Sequence, residues 1–462
     1  MKNDNAFSYR NRTSRLRLNH DPSEKEMLNR IISQSYSPEV PQSRSPTLST
    51  TFAAQLQGMN IRKIGVIREG KVPPDFRVPL SPQQCAEVKS KFGVDVVVQP
   101  SPIRRYADSE YVAAGIELQD NLSDCDLIIG VKEVPIDLLI PGKTYLFFSH
   151  TIKKQPHNAK LLRAILDKKI RLIDYEIIKG KDNKRLIGFG RYAGIVGAYE
   201  GFRAYGMKHG LYELKSPSDC RDRVEMEEEM KKIVLPSNMK IVVTGFGRVG
   251  NGAEEILKKL PITRVEEEDY FSMNFDHPVY VHLDTHEYYV RKEFGGFDKS
   301  DFYNNPEKYI STLAENVRKA DLYIACHLWA GGNPVLITNE DIAHPEWKCK
   351  VIADVSCDTN GPIASTIRAS KISDPLYGYH RFKKEECDWR EDDAICVMAI
   401  DNLPCELPKD ASEDFGNELI AKVFPLMLQE DPDHLIWKAT ETTLSGELTP
   451  HFEYLHDYAY GS

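Results

Sequence analysis

No CxxC pair occurs in the chain, and its nine cysteines, an odd number, stand singly at 85, 125, 220, 326, 349, 357, 387, 396 and 405. That spacing speaks against a disulfide framework and against a zinc site, and points to reduced thiols in a cytosol-like compartment. Long hydrophobic runs are missing too. None reaches the ~18 apolar residues of a membrane-spanning helix, and the longest are strand-sized. Positive charge is not in excess: the formal net charge is −9, which argues against a duplex nucleic acid as partner, since such a surface has to displace counterions from phosphates. There is no internal repeat and no low-complexity tract beyond the N-terminus. What remains is a globular balance over 462 residues, 41% hydrophobic and 28% charged, enough apolar material for more than one core. Two or three domains fit the length, and two fit best.

Residues 1 to 58 differ from the rest. They are rich in Ser, Asn, Arg and Pro with weak hydrophobic periodicity, and are expected to form a disordered extension. The first twenty carry Lys2, Arg10, Arg12, Arg15 and Arg17 against Asp4, a bias shared with organelle transit peptides. No amphipathic pattern accompanies it, acids return at Asp21, Glu24 and Glu26, and Met59, just before the first strand, offers a shorter translation start. The expected compartment is therefore the cytoplasm, with the mitochondrial matrix as the alternative if the extension is a transit peptide.

From Ile61 the texture alternates between strand and helix. Strand-like runs are IRKIGVI, VDVVVQP (94–100), DLIIGV (126–131), TYLFFS (144–149) and IRLIDYE (170–176), with helical patterns at Pro82 to Phe92 and Lys160 to Asp167. A second series begins at MKIVVTG (239–245) and continues through ADLYIAC (320–326), KVIADVSC (350–357) and AICVMAIDNLP (394–404), followed by a helical pattern from Ala411 to Gln429. Such alternation implies parallel strands joined by crossover helices. The acidic stretch Glu225 to Glu229 reads as a solvated helix face.

GFGRVG (245–250) follows the strand Lys240 to Val243 and opens a helix expected over Asn251 to Leu260. In that context Gly245 permits the turn, Gly247 lets backbone N–H groups approach a pyrophosphate, and Gly250 allows close packing of helix on strand. The helix N-terminus then faces the negative charge. The next short strand is expected to end near Val265. Of the acids that follow it, Glu266, Glu267 and Glu268, Glu266 is the candidate to hydrogen-bond the ribose hydroxyls of NAD and to repel the extra phosphate of NADP.

A second cluster lies in the first half: Arg68, Lys71 and Arg77 after the first strand, Lys132 and Glu133 after a later one, then His150, Lys153 and Gln155. All follow apolar strands, the position that lines a ligand crevice in open parallel sheets. Several cations there suit a substrate with more than one carboxylate. His150 titrates nearest neutrality, and Lys132 needs a pKa lowered by burial or by neighbouring cations to exchange protons at pH 7.

With these residues located, the chain resembles the saccharopine dehydrogenase (L-lysine-forming) or lysine-ketoglutarate reductase family, among the relatives of alanine dehydrogenase and transhydrogenase. The resemblance rests on GVKEVP (130–135), FFSHTIKKQ (147–155), LIDYE (172–176), FGRYAGIVG (189–197), GRVGNGA (247–253), the Cys357 to Gly361 segment and DNLPCELP (401–408), in that order. It implies reductive condensation of the lysine ε-amine with 2-oxoglutarate, or oxidation of saccharopine. Lys132 and His150 become the acid–base pair. Lys71, Arg77, Lys153, Gln155 and Arg185 contact substrate, mainly its carboxylates, while Glu133 and Glu176 steer amines or tune the lysine. Arg248 and Val249 join the glycines at the cofactor, and Asp401 lies near the nicotinamide. The implied fold is α/β, two Rossmann-like parallel-sheet domains with a cleft between them. Residues 59–200 form the substrate domain, 201–390 the NAD(P)-binding domain, and 391–462 return to the first. NAD is the expected cofactor, with NADP as the alternative. Plant and animal relatives continue into a second catalytic half, so a single step is expected of this chain. An alanine dehydrogenase-like enzyme acting on another amine or oxo acid, or a non-catalytic NAD-binding regulator, are the competing readings; oligomeric state is not fixed.

Overall fold

Short runs of Val, Ile and Leu buried on both faces suit parallel strands covered by helices on either side. Five such runs and one short edge strand build the first sheet: β1 (Lys63–Val66), β2 (Asp95–Val98), the short edge strand β3 (Glu117–Leu118), β4 (Leu127–Ile129), β5 (Thr144–Phe147) and β6 (Arg171–Asp174). All are parallel, in the order β3-β2-β1-β4-β5-β6. The strand order reverses between β1 and β4, so the crevice outside their carboxyl ends is the expected ligand position. The structure, a computed structural model, describes residues 59–461; the extension expected over residues 1 to 58 lies outside them.

Helix α1 (Pro82–Phe92) begins where the sequence placed it, because Ser81 and Gln84 form a capping box ahead of Pro82 and Gly93 closes the last turn in the left-handed conformation. Helix α2 (Ala159–Asp167) buries Leu161, Leu162, Ile165 and Leu166. The long helix α3 (Gly190–His209) has no polar face over most of its length, since Tyr192, Ile195, Val196, Tyr199 and Phe202 are all buried. It packs on the second sheet and crosses α4 (Arg248–Leu257) at near backbone contact. A Cβ on Gly194 would lie 1.8 Å from the Val249 carbonyl oxygen, and one on Gly252 would lie 2.1 Å from that of Arg191.

The second sheet contains β7 (Lys240–Thr244), β8 (Thr263–Arg264), β9 (Val279–Leu283), β12 (Leu322–Ala325), β13 (Val351–Asp354), β14 (Leu376–His380), β15 (Glu385–Cys387) and β16 (Ala394–Met398). A two-stranded ribbon, β10 (Tyr289–Arg291) with β11 (Tyr309–Ser311), stands apart. The sheet order is β15-β14-β16-β13-β12-β7-β9-β8, parallel from β16 to β8, with β14 and β15 added antiparallel at one edge. Its reversal point lies between β7 and β12, at the glycine loop.

Two domain limits differ from expectation. Residue 200 falls inside α3, whose buried side chains belong to the core of the second sheet. Residue 391 is too early for the return, because β16 is fully buried between β13 and β14. The chain rejoins the first sheet only with α5 (Pro408–Glu418) and the helical turns to Leu428, where Phe415, Leu419, Val423 and Phe424 pack with Ile64, Val66 and Val96. Thr440 then bridges Ile173 of β6 antiparallel.

Candidate active site

The crevice at the reversal point of the first sheet is built from the loops after β1, β4, β5 and β6. After β4 the chain turns sharply, and the backbone N–H groups of Val131 and Lys132 both donate to the Glu69 carboxylate, at 2.6 and 3.0 Å. Lys132 is thus held by its main chain while its ammonium stays free of any carboxylate within salt-bridge distance among the described residues. Its pKa is lowered, first by burial and then by the nearby charges of Arg77 and Lys71. That is the shift a lysine needs to exchange protons near neutrality. Burial and the charge of Asp75 push the Glu69 carboxyl up to about 8.

Glu133 joins the next two groups. Its Oε1 lies 2.5 Å from His150 Nδ1 and its Oε2 accepts from Lys71 Nζ at 3.0 Å. Burial works against the carboxylate, but these two partners hold its pKa down at about 2. His150 follows β5 in the left-handed conformation (φ 54°), with its ring stacked beside Phe148. After β6, the buried Glu176 pairs through Oε1 with Lys153 Nζ at 3.2 Å and with Arg185. Its Oε2 is buried and has no hydrogen-bond partner among the described residues. Burial alone would raise the Glu176 pKa, yet Arg185 and Lys153 lower it, so the residue is an anion with one acceptor unfilled.

The remaining expected substrate contacts divide. Arg77 is buried, and its guanidinium is bidentate to Asp75 (Nε to Oδ1 2.9 Å, a terminal N–H to Oδ2 2.6 Å) while lying 4.2 Å from the centroid of the Phe189 ring. One edge of the guanidinium is thereby taken, and its other terminal nitrogen has no hydrogen bond among the described residues. Arg68 turns to Asp120 at 3.0 Å, away from the cluster. Gln155 is exposed, and its carbonyl accepts from the Asn158 N–H at 2.9 Å and from the Tyr458 hydroxyl.

In the second sheet Gly245 takes φ 93° at the end of β7, a conformation that favours glycine. A Cβ on Gly250 would fall 1.6 Å from the Gly245 carbonyl oxygen, whereas one on Gly247 would meet nothing within 4 Å. Turn, tight strand–helix packing and open space at the middle glycine are together what a pyrophosphate needs at a helix N-terminus. Val249 packs against the core and offers only its backbone. The Arg248 side chain is committed inside the protein, to Glu418 and to the carbonyls of Arg185 and Leu186 at 3.0 and 2.8 Å.

Glu266 stands one strand further out than expected. The strand it follows, β8, is the sheet edge, and Glu266 is an exposed N-cap residue. The strand beside β7 is β9, and the carboxylate directly after it is Asp284, which caps a short helical turn through Thr285 N–H at 2.7 Å. His282 of β9 lies under the loop, its Nε2 2.8 Å from the Gly245 carbonyl and its ring stacked at 4.0 Å on Phe246.

The two halves meet at both ends of the crevice. At one end Arg248 bonds the carbonyl of Arg185. At the other, in the turn that follows Asp401, the Cys405 thiol donates to Asp75 Oδ1 at 3.2 Å and so touches the carboxylate that holds Arg77. Asp401 is exposed on that turn, close enough to the Cys357 thiol to help, after burial, push it up to about 12. Glu69, Asp75 and Asp284 were not singled out from sequence. Glu69 stands beside Arg68 in a cluster read for its cations, and Asp284 becomes visible only when strand pairing is known.

The alanine dehydrogenase/PNT N-terminal domain matches residues 65–196 and the C-terminal domain of the same family matches residues 233–444. An alpha-aminoadipic semialdehyde synthase of Arabidopsis thaliana is 31% identical over 85% of this chain, which spans only 41% of that protein. A saccharopine dehydrogenase [NAD(+), L-lysine-forming] of Yarrowia lipolytica is 25% identical, over 78% of this chain and 91% of its own. A solved L-alanine dehydrogenase superposes with a TM-score of 0.58 at 18% identity, covering 85% of this chain and 98% of the other, a likeness of fold.

Proposed function

The chain belongs to the alanine dehydrogenase/PNT family, and from that premise we propose that it is an NAD-dependent oxidoreductase of the saccharopine dehydrogenase (L-lysine-forming) type. The reaction joins lysine, 2-oxoglutarate, NADH and a proton to give saccharopine, NAD+ and water. The observation that carries this reading is the string Lys132–Glu133–His150 in one crevice with the unfilled Glu176 carboxylate oxygen. A simple 2-oxo acid reduction needs neither a second proton exchanger nor a buried anion waiting for a donor. Joining an amine to a ketone needs both, because the amine must be held and deprotonated, and the carbinolamine oxygen must leave as water.

In this reading Glu176 Oε2 accepts from the incoming amine, and Arg185 and Lys153, already gathered around Glu176, face carboxylates. Lys132, whose pKa is lowered by burial and by the cations beside it, takes a proton from the amine and returns it to the departing hydroxyl. His150, oriented through Nδ1 by Glu133, exchanges the second proton. NAD(H) supplies the hydride when bound, with its pyrophosphate at the glycine loop, and the second sheet is accordingly the NAD-binding domain. Asp284, or Glu266 one strand further out, holds the ribose, and Asp401 faces the nicotinamide end. The nine unpaired cysteines support a reducing compartment, the cytoplasm or the mitochondrial matrix.

Consumption of NADH by the purified protein tests the proposal. Oxidation is expected only with lysine and 2-oxoglutarate together, since the imine has to form first. Equal rates with pyruvate and ammonia would move the assignment to alanine dehydrogenase chemistry, and no turnover with any amine and oxo acid would favour a regulatory NAD-binding role.

A further inference from the structure

His150 sits between two buried hydroxyls that lead away from the crevice to a pair of buried carboxyls. Ser149 Oγ lies 2.5 Å from Asp174 Oδ2 and 2.6 Å from Thr151 Oγ1, and Thr151 Oγ1 lies 2.5 Å from Glu441 Oε2. Ser149, Thr151, Asp174 and Glu441 are all buried. This line of three short O···O contacts needs three protons, and the two hydroxyls supply two. The third belongs to a carboxyl. Asp174 already accepts the backbone N–H groups of Ser149 at 3.0 Å and Glu176 at 2.7 Å, the surroundings of an anion. The side chain of Glu441 meets the two hydroxyls and the Asp174 carboxyl, and among the described residues it receives no backbone N–H. The extra proton therefore sits on Glu441, and the hydrogen bonds run in one direction, from Glu441 through Thr151 and Ser149 to Asp174.

The consequence falls on the residue between the hydroxyls. A histidine at φ 54° occupies a sparsely populated backbone region and persists only where its surroundings fix it. Here the fixing is double: Ser149 N–H is tied to Asp174, and Thr151 N–H donates to Ser149 Oγ at 3.2 Å. Glu441 comes from the returning C-terminal segment, 290 residues beyond Thr151. It is itself anchored by its N–H on the Leu172 carbonyl at 2.8 Å and by its own carbonyl, which accepts from Thr449 N–H at 2.9 Å.

We propose that Glu441, as a neutral carboxylic acid, is a positioning residue for His150: through Thr151 and Ser149 it sets the backbone geometry that aims the His150 ring at Glu133 and the crevice. This rests on the reading of His150 as a proton-exchanging group. The test uses the full chain with Glu441→Gln, Glu441→Ala and Thr151→Val. Two readouts are taken, steady-state kinetics and the ring resonances of His150 in histidine-labelled protein, assigned by their loss in His150→Gln.

Glutamine keeps a neutral donor and an acceptor, so Glu441→Gln retains wild-type kcat within a few-fold and leaves the His150 resonances in place. Glu441→Ala and Thr151→Val lower kcat by roughly 10- to 100-fold, the scale of a catalytic group misplaced by about an ångström. KM for NADH is unchanged in both, and the His150 resonances move. A Glu441→Gln variant as impaired as Glu441→Ala would overturn the proposal, as would a Glu441→Ala variant with unmoved resonances. The resonances are read without turnover. A wild type inert toward lysine and 2-oxoglutarate, with the Gln and Ala contrast intact, would count against the proposed reaction and not against this device.

Discussion

Lys132 and His150 share one neighbour, Glu133, adjacent in sequence to the lysine and 2.5 Å from the histidine. A proton taken up by one changes the field felt by the other, so their losses are not independent. Lys132→Met is expected to lower kcat by roughly 10²- to 10⁴-fold, with NADH affinity unchanged, the usual range for a general acid–base residue. His150→Gln should act similarly, and the double variant should be far less impaired than the product of the two single losses. Kinetics of the four proteins check this, and strictly multiplicative losses would mean two separate binding residues. Cofactor preference is decided by single residues as well. If the ribose acid is the one beside the glycine loop, Asp284→Ser raises the NADP to NAD preference ratio about tenfold while Glu266→Ser leaves it alone. The opposite outcome would restore the position inferred from sequence spacing.

Elements buried on both faces were the legible part of the sequence. Strands β1, β2, β4 to β7, β12, β13 and β16 read as continuous apolar runs because nothing on either side of them meets water. Strand β9 was missed because His282 interrupts its run, and a histidine can sit there only because the glycine loop above accepts its hydrogen bond. The antiparallel strands β14 and β15 were hidden by Gly378, His380 and three consecutive polar or thiol side chains. The cations of the site were legible from their place after strands, but their partners were not: Asp75 grips one edge of Arg77 and Glu69 holds the turn at Lys132 through contacts no spacing rule encodes.

The same limit applies to the crossing of α3 and α4. Its glycines read as family motif residues, and only the structure shows that the helix backbones touch. Gly194→Ala would put a methyl group 1.8 Å from the Val249 carbonyl, so the helices must separate and carry the N-terminus of α4 with them. NADH affinity should fall at least tenfold and the melting temperature by several degrees, the effect of overpacking a tight contact. Isothermal titration and thermal unfolding check both, and unchanged NADH affinity would show that the loop is positioned independently of α3.

At the scale of the whole molecule, the C-terminal segment is joined to the first sheet through a carboxylic acid, and its stability should carry that acid's signature. Burial and the negative Asp174 push the Glu441 pKa up to about 8. In the unfolded chain the same group titrates near the ordinary glutamate value of about 4.3. A carboxyl raised on folding binds its proton more tightly in the native state. Its contribution to stability is thus fully present below about pH 4.3 and is lost as pH rises through about 8. The groups facing it do not reverse that sign: burial raises the Asp174 carboxyl on β6 as well, which acts in the same direction, and the phenols of Tyr454 and Tyr458, each pushed up to about 12, stay neutral across the window. Other buried groups titrate in the same range, so the comparison has to be with a protein differing only at this position. Glu441→Gln keeps the neutral state at every pH. The difference in melting temperature between wild type and Glu441→Gln is therefore expected to be small at pH 5 and to grow to a few degrees in favour of the variant by pH 9. Two unfolding series across that range measure it. A difference independent of pH would mean that residue 441 does not hold its proton in the native state, and would leave the line of hydrogen bonds beside His150 one proton short.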